Sequence, residues 1–301
     1  MNKLKQIIIL LIIIIAILSN LWSNNNRCIG IFQKQNKYKD NYFYYTKNFD
    51  NLIETIHDKW DENYDLIEIE YGNNLWVGIF QKNTDISRNA YSYRDEFSNF
   101  YQAIKNRWDE GYHIVNVEYG EGMWFGIFHK SKNITRSGFS FRSNFFSEAE
   151  TKLKNELPDT FPFINSMVDQ ILDDDTELFK SMRKAIKKRR EQGFILMDIE
   201  KGKNKWFGVF NKQKNIEKSR YVASLSFDEF KEKVKHQIYR GFSLYSMEHG
   251  KQNNRDIWIA VLHKTNKVEK SDFHYEPVFK DLINNIKYFW DKKYNFISLS
   301  Y

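Results

Sequence analysis

Cysteine is almost absent: Cys28 stands alone in 301 residues, which excludes an internal disulfide framework and any cysteine-based zinc cluster. An exported domain with one thiol must be held by packing. Proline occurs three times while Asn and Lys abound, a bias read first as that of an AT-rich genome. No phosphate-binding glycine loop, nucleophile elbow or metalloprotease helix motif is present.

What is there is aromatic and basic. With 25 Phe, 18 Tyr and 8 Trp, and 42% of residues hydrophobic, the chain can bury one sizeable core, and disorder is not expected. The net charge of +7 permits an anionic polymer or a membrane surface as partner, beside an unknown protein, without demanding either. No specific nucleic-acid motif accompanies it. At the N-terminus, Lys3 and Lys5 precede an apolar run from Ile7 to Leu18 and a polar stretch from Ser23 to Arg27, the layout of a signal peptide. Counting through Trp22 gives sixteen residues, close to the lower limit for a bilayer span, so an uncleaved anchor is the alternative. The lysines then favour a cytoplasmic N-terminus. Residues 1–27 are therefore expected to be a signal peptide or membrane anchor, with residues 28–301 a single domain, secreted or anchored, outside the cytosol. Cys28 follows Asn-Asn-Arg, which lacks the residues of a lipoprotein cleavage box.

That domain is a repeat. Its anchor is a strand-like string, Trp76-Val-Gly-Ile-Phe-Gln-Lys82, which returns at 124–130, 206–212 and 258–264, and at 28–34 with Cys28 in the Trp slot. Fifteen and seventeen residues on come aromatic pairs such as Tyr91 with Tyr93, a second short strand. A helix follows with one apolar face: Phe49, Leu52, Ile53, Ile56 and Trp60 in the first unit, and Phe279, Leu282, Ile283, Ile286 and Trp290 in the fifth. Left-handed caps are expected at Asn63, Gly111, Gly193, Gly241 and Lys293. A third strand opens with an aromatic and closes in Glu-x-Gly (Glu70 to Gly72, Glu118 to Gly120, Glu200 to Gly202, Glu248 to Gly250), glycines suited to a tight hairpin turn into the next anchor. The units are thus strand, strand, helix, strand, starting at 28, 76, 124, 206 and 258. The third is longer by an insertion at about 143–176, with Pro158, Pro162 and an acidic run ending in Asp175 that is expected to cap the next helix. The fourth hairpin loop is four residues longer, with Gln252 to Arg255 at its tip.

Only the two ends of the array lack a hairpin partner, so the simplest arrangement pairs 295–301 with 28–34 and closes the five repeats into a pseudo-five-fold α/β-propeller, hiding both sheet edges. An open curved array is the alternative. The closed topology resembles the pentein architecture of guanidine-modifying enzymes. That resemblance implies a late cysteine nucleophile with His and acidic partners, and the last unit contains no cysteine. At the level of residues, Trp108-Asp-Glu-Gly-Tyr112, then 114–120 and Trp124, is similar to a tryptophan-rich repeat of unassigned function that follows the kinase domain in some plant casein-kinase-like enzymes. This likeness implies a module and no chemistry.

Polar residues that recur in all units are the candidate ligand contacts. Lys34, Lys82, Lys130, Lys212 and Lys264 end the anchor strands, and a second basic set lies at Arg88, Arg136, Lys218 and Lys270, with Asp40 breaking it in the first unit. Each set would form a circle able to hold an anion, or each lysine would lie along a neighbouring aromatic. Just before them stand Gln33, Gln81, His129, Asn211 and His263. His129 is expected opposite His113, two ligands where a metal site needs three or four, so no metal and no cofactor is assigned. Glu70, Glu118, Glu200 and Glu248 could converge as hydrolytic carboxylates or sit solvated before a turn. The run Lys187 to Arg190 could touch phosphates or be a wet helix face, and Asn133-Ile-Thr135 is a glycosylation pattern of low specificity. The expected function is a non-catalytic extracytoplasmic binding or interaction module of unknown ligand, an anionic one included. A hydrolase using axial carboxylates or histidines and a self-associating structural protein are the alternatives.

Overall fold

The computed structural model describes residues 27–35, 40–147 and 181–301. The N-terminal segment and nearly all of the insertion, with Asp175, lie outside the described residues. Among those described, the chain is mixed α/β, with five roughly repeated units, five three-stranded antiparallel sheets and five helices. In chain order the elements are β1 (Cys28–Gln35), β2 (Asn41–Thr46), α1 (Phe49–Asp61), β3 (Asp65–Gly72), β4 (Leu75–Gln81), β5 (Ile86–Arg94), α2 (Phe97–Asp109), β6 (His113–Gly120), β7 (Met123–Ser131), β8 (Ile134–Arg142), α3 (Met182–Glu191), β9 (Ile195–Gly202), β10 (Lys205–Gln213), β11 (Lys218–Ser224), α4 (Phe227–Tyr239), β12 (Ser243–Gln252), β13 (Arg255–Lys264), β14 (Val268–Glu276), α5 (Phe279–Asp291) and β15 (Asn295–Ser300). None of these helices is long and apolar enough to cross a membrane.

Each anchor strand is the centre of its sheet, flanked on one side by the third strand that hairpins into it and on the other by the second strand of that same preceding unit: β2-β4-β3, β5-β7-β6, β8-β10-β9, β11-β13-β12 and β14-β1-β15. Sequence repeat and sheet are therefore offset by one strand. The last sheet takes its centre from the start of the domain and its flanks from the end, with Ile29 opposite Ser300 and Gln33 opposite Asn295. The expected pairing of 28–34 with 295–301 is present.

Helices form where the apolar spacing puts them, and four of the five begin on the first apolar residue of the stripe, Phe49, Phe97, Phe227 and Phe279. The side chains of Asn48, Ser181 and Ser226 cap α1, α3 and α4. All five end in the left-handed cap expected, including the strained Lys293 at φ 63. Every helix packs on its own sheet and against the next one. Leu52 and Ile56 of α1 share a core with Phe125 and Ile127 of β7, and Leu282 and Ile286 of α5 share one with Val77 and Ile79 of β4. Anchor strands are thus covered on both faces, which is why their sequence runs apolar without alternation. The third strands neighbour one another in the order β3, β6, β9, β12, β15 and back to β3.

Two sequence expectations change. The four extra residues in the fourth hairpin lengthen its ladder, Lys251 opposite Asp256 and Gln252 opposite Arg255, around an ordinary two-residue turn at Asn253 and Asn254. The extension serves packing, since the Gln252 amide bonds the backbone of Phe145 and Phe146. Nor do the Glu-x-Gly glycines make the turns, which use Asn73 and Asn74, or Glu121 and Gly122, at positive φ. They mark close approach: a Cβ on Gly120 or Gly250 would lie 2.6 Å from the ring of Trp76 or Trp206 in the preceding sheet, and Gly202 meets Trp124 in the same way. Gly120→Ala is therefore expected to cost about 2 to 3 kcal/mol through overpacking. Gly122→Ala, with nothing within 4 Å but a φ of +82, should cost about 1 kcal/mol. Urea unfolding of the two variants checks the order.

Candidate functional site

A third strand at the edge of its sheet presents backbone groups to the axis with no strand to pair them. Each of the five carries one extra residue, Ile67, Val115, Met197, Tyr245 or Ile297, where the register slips. Such a bulge leaves a neighbouring carbonyl outside the ladder. The next sheet supplies the donor: His129 Nε2 to Leu66 at 2.8 Å, His263 Nε2 to Leu196 at 2.9 Å and Gln33 Nε2 to Leu244 at 2.6 Å. Asn211, its amide nitrogen turned to the carbonyls, reaches Ile114 at 3.2 Å. Gln81 works through a relay, bonding Asn41, which bonds Asn295 of β15.

Carboxylates treat the N–H groups of the same edges alike. Glu70 accepts from Tyr301 N at 3.2 Å, Glu248 from Lys201 N at 3.1 Å and Glu200 from Tyr119 N, while Asp198 takes Val117 N at 3.0 Å. Asp198 also binds Asn116 and Ser246, and Glu68 accepts from Ser298. Two inward-facing sets result, one of Glu70, Glu118, Glu200, Glu248 and Ser300, the other of Glu68, Asn116, Asp198, Ser246 and Ser298, all buried. The second set, two residues before the first in every unit, was not singled out in the sequence, although the column is polar throughout. The first does converge as the spacing allowed, but in a buried cluster and not in solvent.

Burial raises the pKa of each of these six carboxyl groups. Repulsion adds to it: from Asp198 on Glu68, from Glu248 on Glu70, from Glu70 on Glu118 and from Glu118 on Glu200. Glu118 donates to Glu70, so one proton serves two groups. Burial depresses His129 and His263 to about 4, so both are neutral, with the proton on the Nε2 that meets the carbonyl. Cys28 is buried with its thiol pushed up to about 12.

Above the acids the bulges open a cavity of about 230 Å³. Ile67, Val115, Tyr245 and Ile297 are among its apolar lining, and Glu68, Gln33, Gln81, His129 and His263 among its polar lining. At the rim Asp85 accepts from Lys267 at 2.6 Å and Asn133 at 2.8 Å. Two lining acceptors, His263 Nδ1 and Asn215 Oδ1, are buried without a partner among the described residues.

No family model and no curated protein matches this chain.

Of the ten expected contact residues, four line the cavity and Asn211 is buried nearby, whereas the lysines point elsewhere. Lys82, Lys130 and Lys212 lie over Tyr64, Tyr112 and Phe194 at 4.3, 4.4 and 4.9 Å, and Lys34 stands 4.0 Å from Glu269. Lys264 is opposite Lys218. His129 is opposite His113, through a two-residue turn plus the bulge, but His113 bonds Ser137 of the following sheet and His129 the preceding one. Among the described residues no group of three metal-binding side chains forms.

These shifts give stability two slopes of opposite sign. The folded chain keeps carboxyl protons that the unfolded chain releases, so stability is lost as pH rises above the ordinary carboxylate range through the raised values. The unfolded chain protonates its histidines near 6.5 while His129 and His263 wait until about 4, so stability is also lost as pH falls across that window. In urea midpoints against pH, Glu118→Gln should flatten the decline on the alkaline side, and His263→Gln, which keeps a donor as Gln33 does, should flatten the acid side. A steeper decline in Glu118→Gln would contradict protonated axial acids.

Proposed function

We propose that residues 28–301 close into a pseudo-five-fold α/β-propeller and act as a non-catalytic binding module outside the cytosol, with the axial cavity as its ligand site. Closure is supported by β1 pairing with both β14 and β15, by the cyclic neighbourhood of the third strands, and by a core shared between α5 and β4. The extracytoplasmic location rests on the basic and then apolar layout of residues 1–27.

The observation that carries the site is the pair of unpartnered acceptors, His263 Nδ1 and Asn215 Oδ1, on the wall of a cavity with an apolar floor. A buried acceptor left unpaired costs about 1 to 3 kcal/mol, which a ligand bearing donors recovers. The ligand is therefore a small molecule, or a side chain of a partner, with hydroxyl or amino groups on a short apolar body. Binding is favoured over hydrolysis because most of the groups that would act as acid, base or nucleophile are committed, and the open Nδ1 of His263 is a weak base with its pKa depressed to about 4. The histidines are neutral and bound to carbonyls, most of the acids hold backbone N–H groups, and the Cys28 thiol is protonated.

Ligand-observed NMR with 1,4-butanediol, erythritol and 1,4-diaminobutane tests this reading. At least one should bind the full chain, and Val115→Phe, which fills the cavity from the bulge, should abolish the signal while the circular dichroism of the fold is kept. Equal binding to both proteins, or to neither, sinks the axial site.

A further inference from the structure

The two basic sets of the sequence turn out to be cross-strand neighbours: Lys34 faces Lys270, Lys130 faces Arg88, Lys212 faces Arg136 and Lys264 faces Lys218. Like charges directly opposite one another are unfavourable in a sheet and call for a counter-charge. On the β10 sheet the excess grows. Arg189 of α3 lies along β8, its Nη2 donating to the Phe139 carbonyl at 2.7 Å and its Nε to Ser140 Oγ at 3.2 Å, which leaves Nη1 without a partner. Three cations then surround one ring: Arg136, Arg189 and Lys212 lie 5.8, 5.5 and 4.9 Å from the centroid of Phe194. Two adjoining grooves meet at Arg189, one holding Arg136, His113 and Gly138, the other Arg142, Lys188 and Gln192, and among the described residues no carboxylate lines either. Burial, then repulsion from Arg136 and Arg142, lowers the pKa of Arg189.

The β7 sheet is an internal control. It has the same arginines, Arg88, Arg94 and Arg107, and Arg107 grips Tyr91 and Ser92 as Arg189 grips Phe139 and Ser140. There, however, Glu110 neutralises Arg107 at 2.8 Å. The matching residue beside Arg189 is Gln192. Among the described residues, Arg136, Arg142, Arg189 and Lys212 form no ion pair.

We propose that this groove binds a tetrahedral oxyanion of the phosphate-ester class, held by Arg136, by the remaining Nη1 of Arg189 and by Arg142, whose own Nη1 already donates to the Phe141 carbonyl, with Lys212 at the Phe194 end. Planar guanidinium groups present paired N–H donors that match two oxygens of such an anion, and a neighbouring aromatic keeps them in place. The site is separate from the axial cavity and stands without it.

Isothermal titration of the full chain with inorganic pyrophosphate at low salt tests the assignment. Saturable binding is expected, weakened about tenfold or more in Arg136→Gln/Arg142→Gln and to a similar extent in Gln192→Glu, which adds the counter-charge that Glu110 provides in β7's sheet. Arg88→Gln/Arg94→Gln should leave it unchanged. No saturable binding, or equal losses in both double variants, would show only diffuse charge and overturn the site. Sedimentation with phosphatidylcholine vesicles, with and without phosphatidic acid, then separates the sources. Vesicle binding that pyrophosphate competes away assigns a lipid headgroup, and pyrophosphate binding without vesicle binding assigns a soluble ester.

Discussion

Five third strands brought side by side, each with one backbone edge that no other strand pairs, set the terms for the rest of this molecule. An orphaned N–H or carbonyl in that dry position is as costly as a lost hydrogen bond. The remedy is repeated and one-directional. Side chains of each sheet reach the exposed edge of the sheet before it, histidine or amide to the carbonyl freed by the bulge and carboxyl to the N–H beside it. The recurring polar columns are thus first of all backbone partners, and they vary in chemistry from unit to unit because Gln, His and Asn can all donate to a carbonyl. In the cavity, what this accounting leaves over among the described residues includes the lone pairs on His263 and Asn215.

The same constraint explains which parts of the structure could be read from the residues. Helix starts at Phe49 or Phe279, caps at Gly111 or Lys293 and the pairing of the chain ends follow from local spacing and from counting strands without partners, and they are where the spacing puts them. The bulges left only a faint trace, a slip in the alternation where Ile114 and Val115 stand together before the polar Asn116, and the register alone shows which residue is unpaired. The glycines of Glu-x-Gly were ambiguous for the opposite reason. A turn and a close approach both need the missing Cβ, and only the position of Trp76 against Gly120 tells them apart. His113 and His129 show how a correct register still misleads: they are opposite across the ladder, yet they serve sheets on opposite sides.

Packing and polarity divide the work along each anchor strand. Trp76 and Phe80 belong to the core of their own helix, Val77 and Ile79 to that of the preceding one, so the string must be apolar on both faces, and its polar end marks where the core stops. Beyond that point Gln81 bonds inward through Asn41, and Lys82 turns outward over Tyr64, its stem on the ring and its ammonium in water. Two adjacent residues thereby face two environments, a dry axis and a wet rim. The tryptophan slot can hold Cys28 only where β1 closes the last sheet, and there Tyr301 supplies the ring that approaches Gly72.

Charge follows the same partition. The formal +7 counts every Asp and Glu as ionised, but the axial set includes Glu68, Glu70, Glu118, Asp198, Glu200 and Glu248, all with raised pKa. Each of these that keeps its proton adds one positive charge to the formal balance. Protons held at the centre therefore leave the cross-strand pairs at the rim, Lys212 with Arg136 and Lys264 with Lys218, less compensated than composition suggests. A low-dielectric core that stays neutral cannot screen them. Ionising these acids at higher pH would lower the net positive charge and loosen the packing of the third strands together, because both depend on the same buried protons.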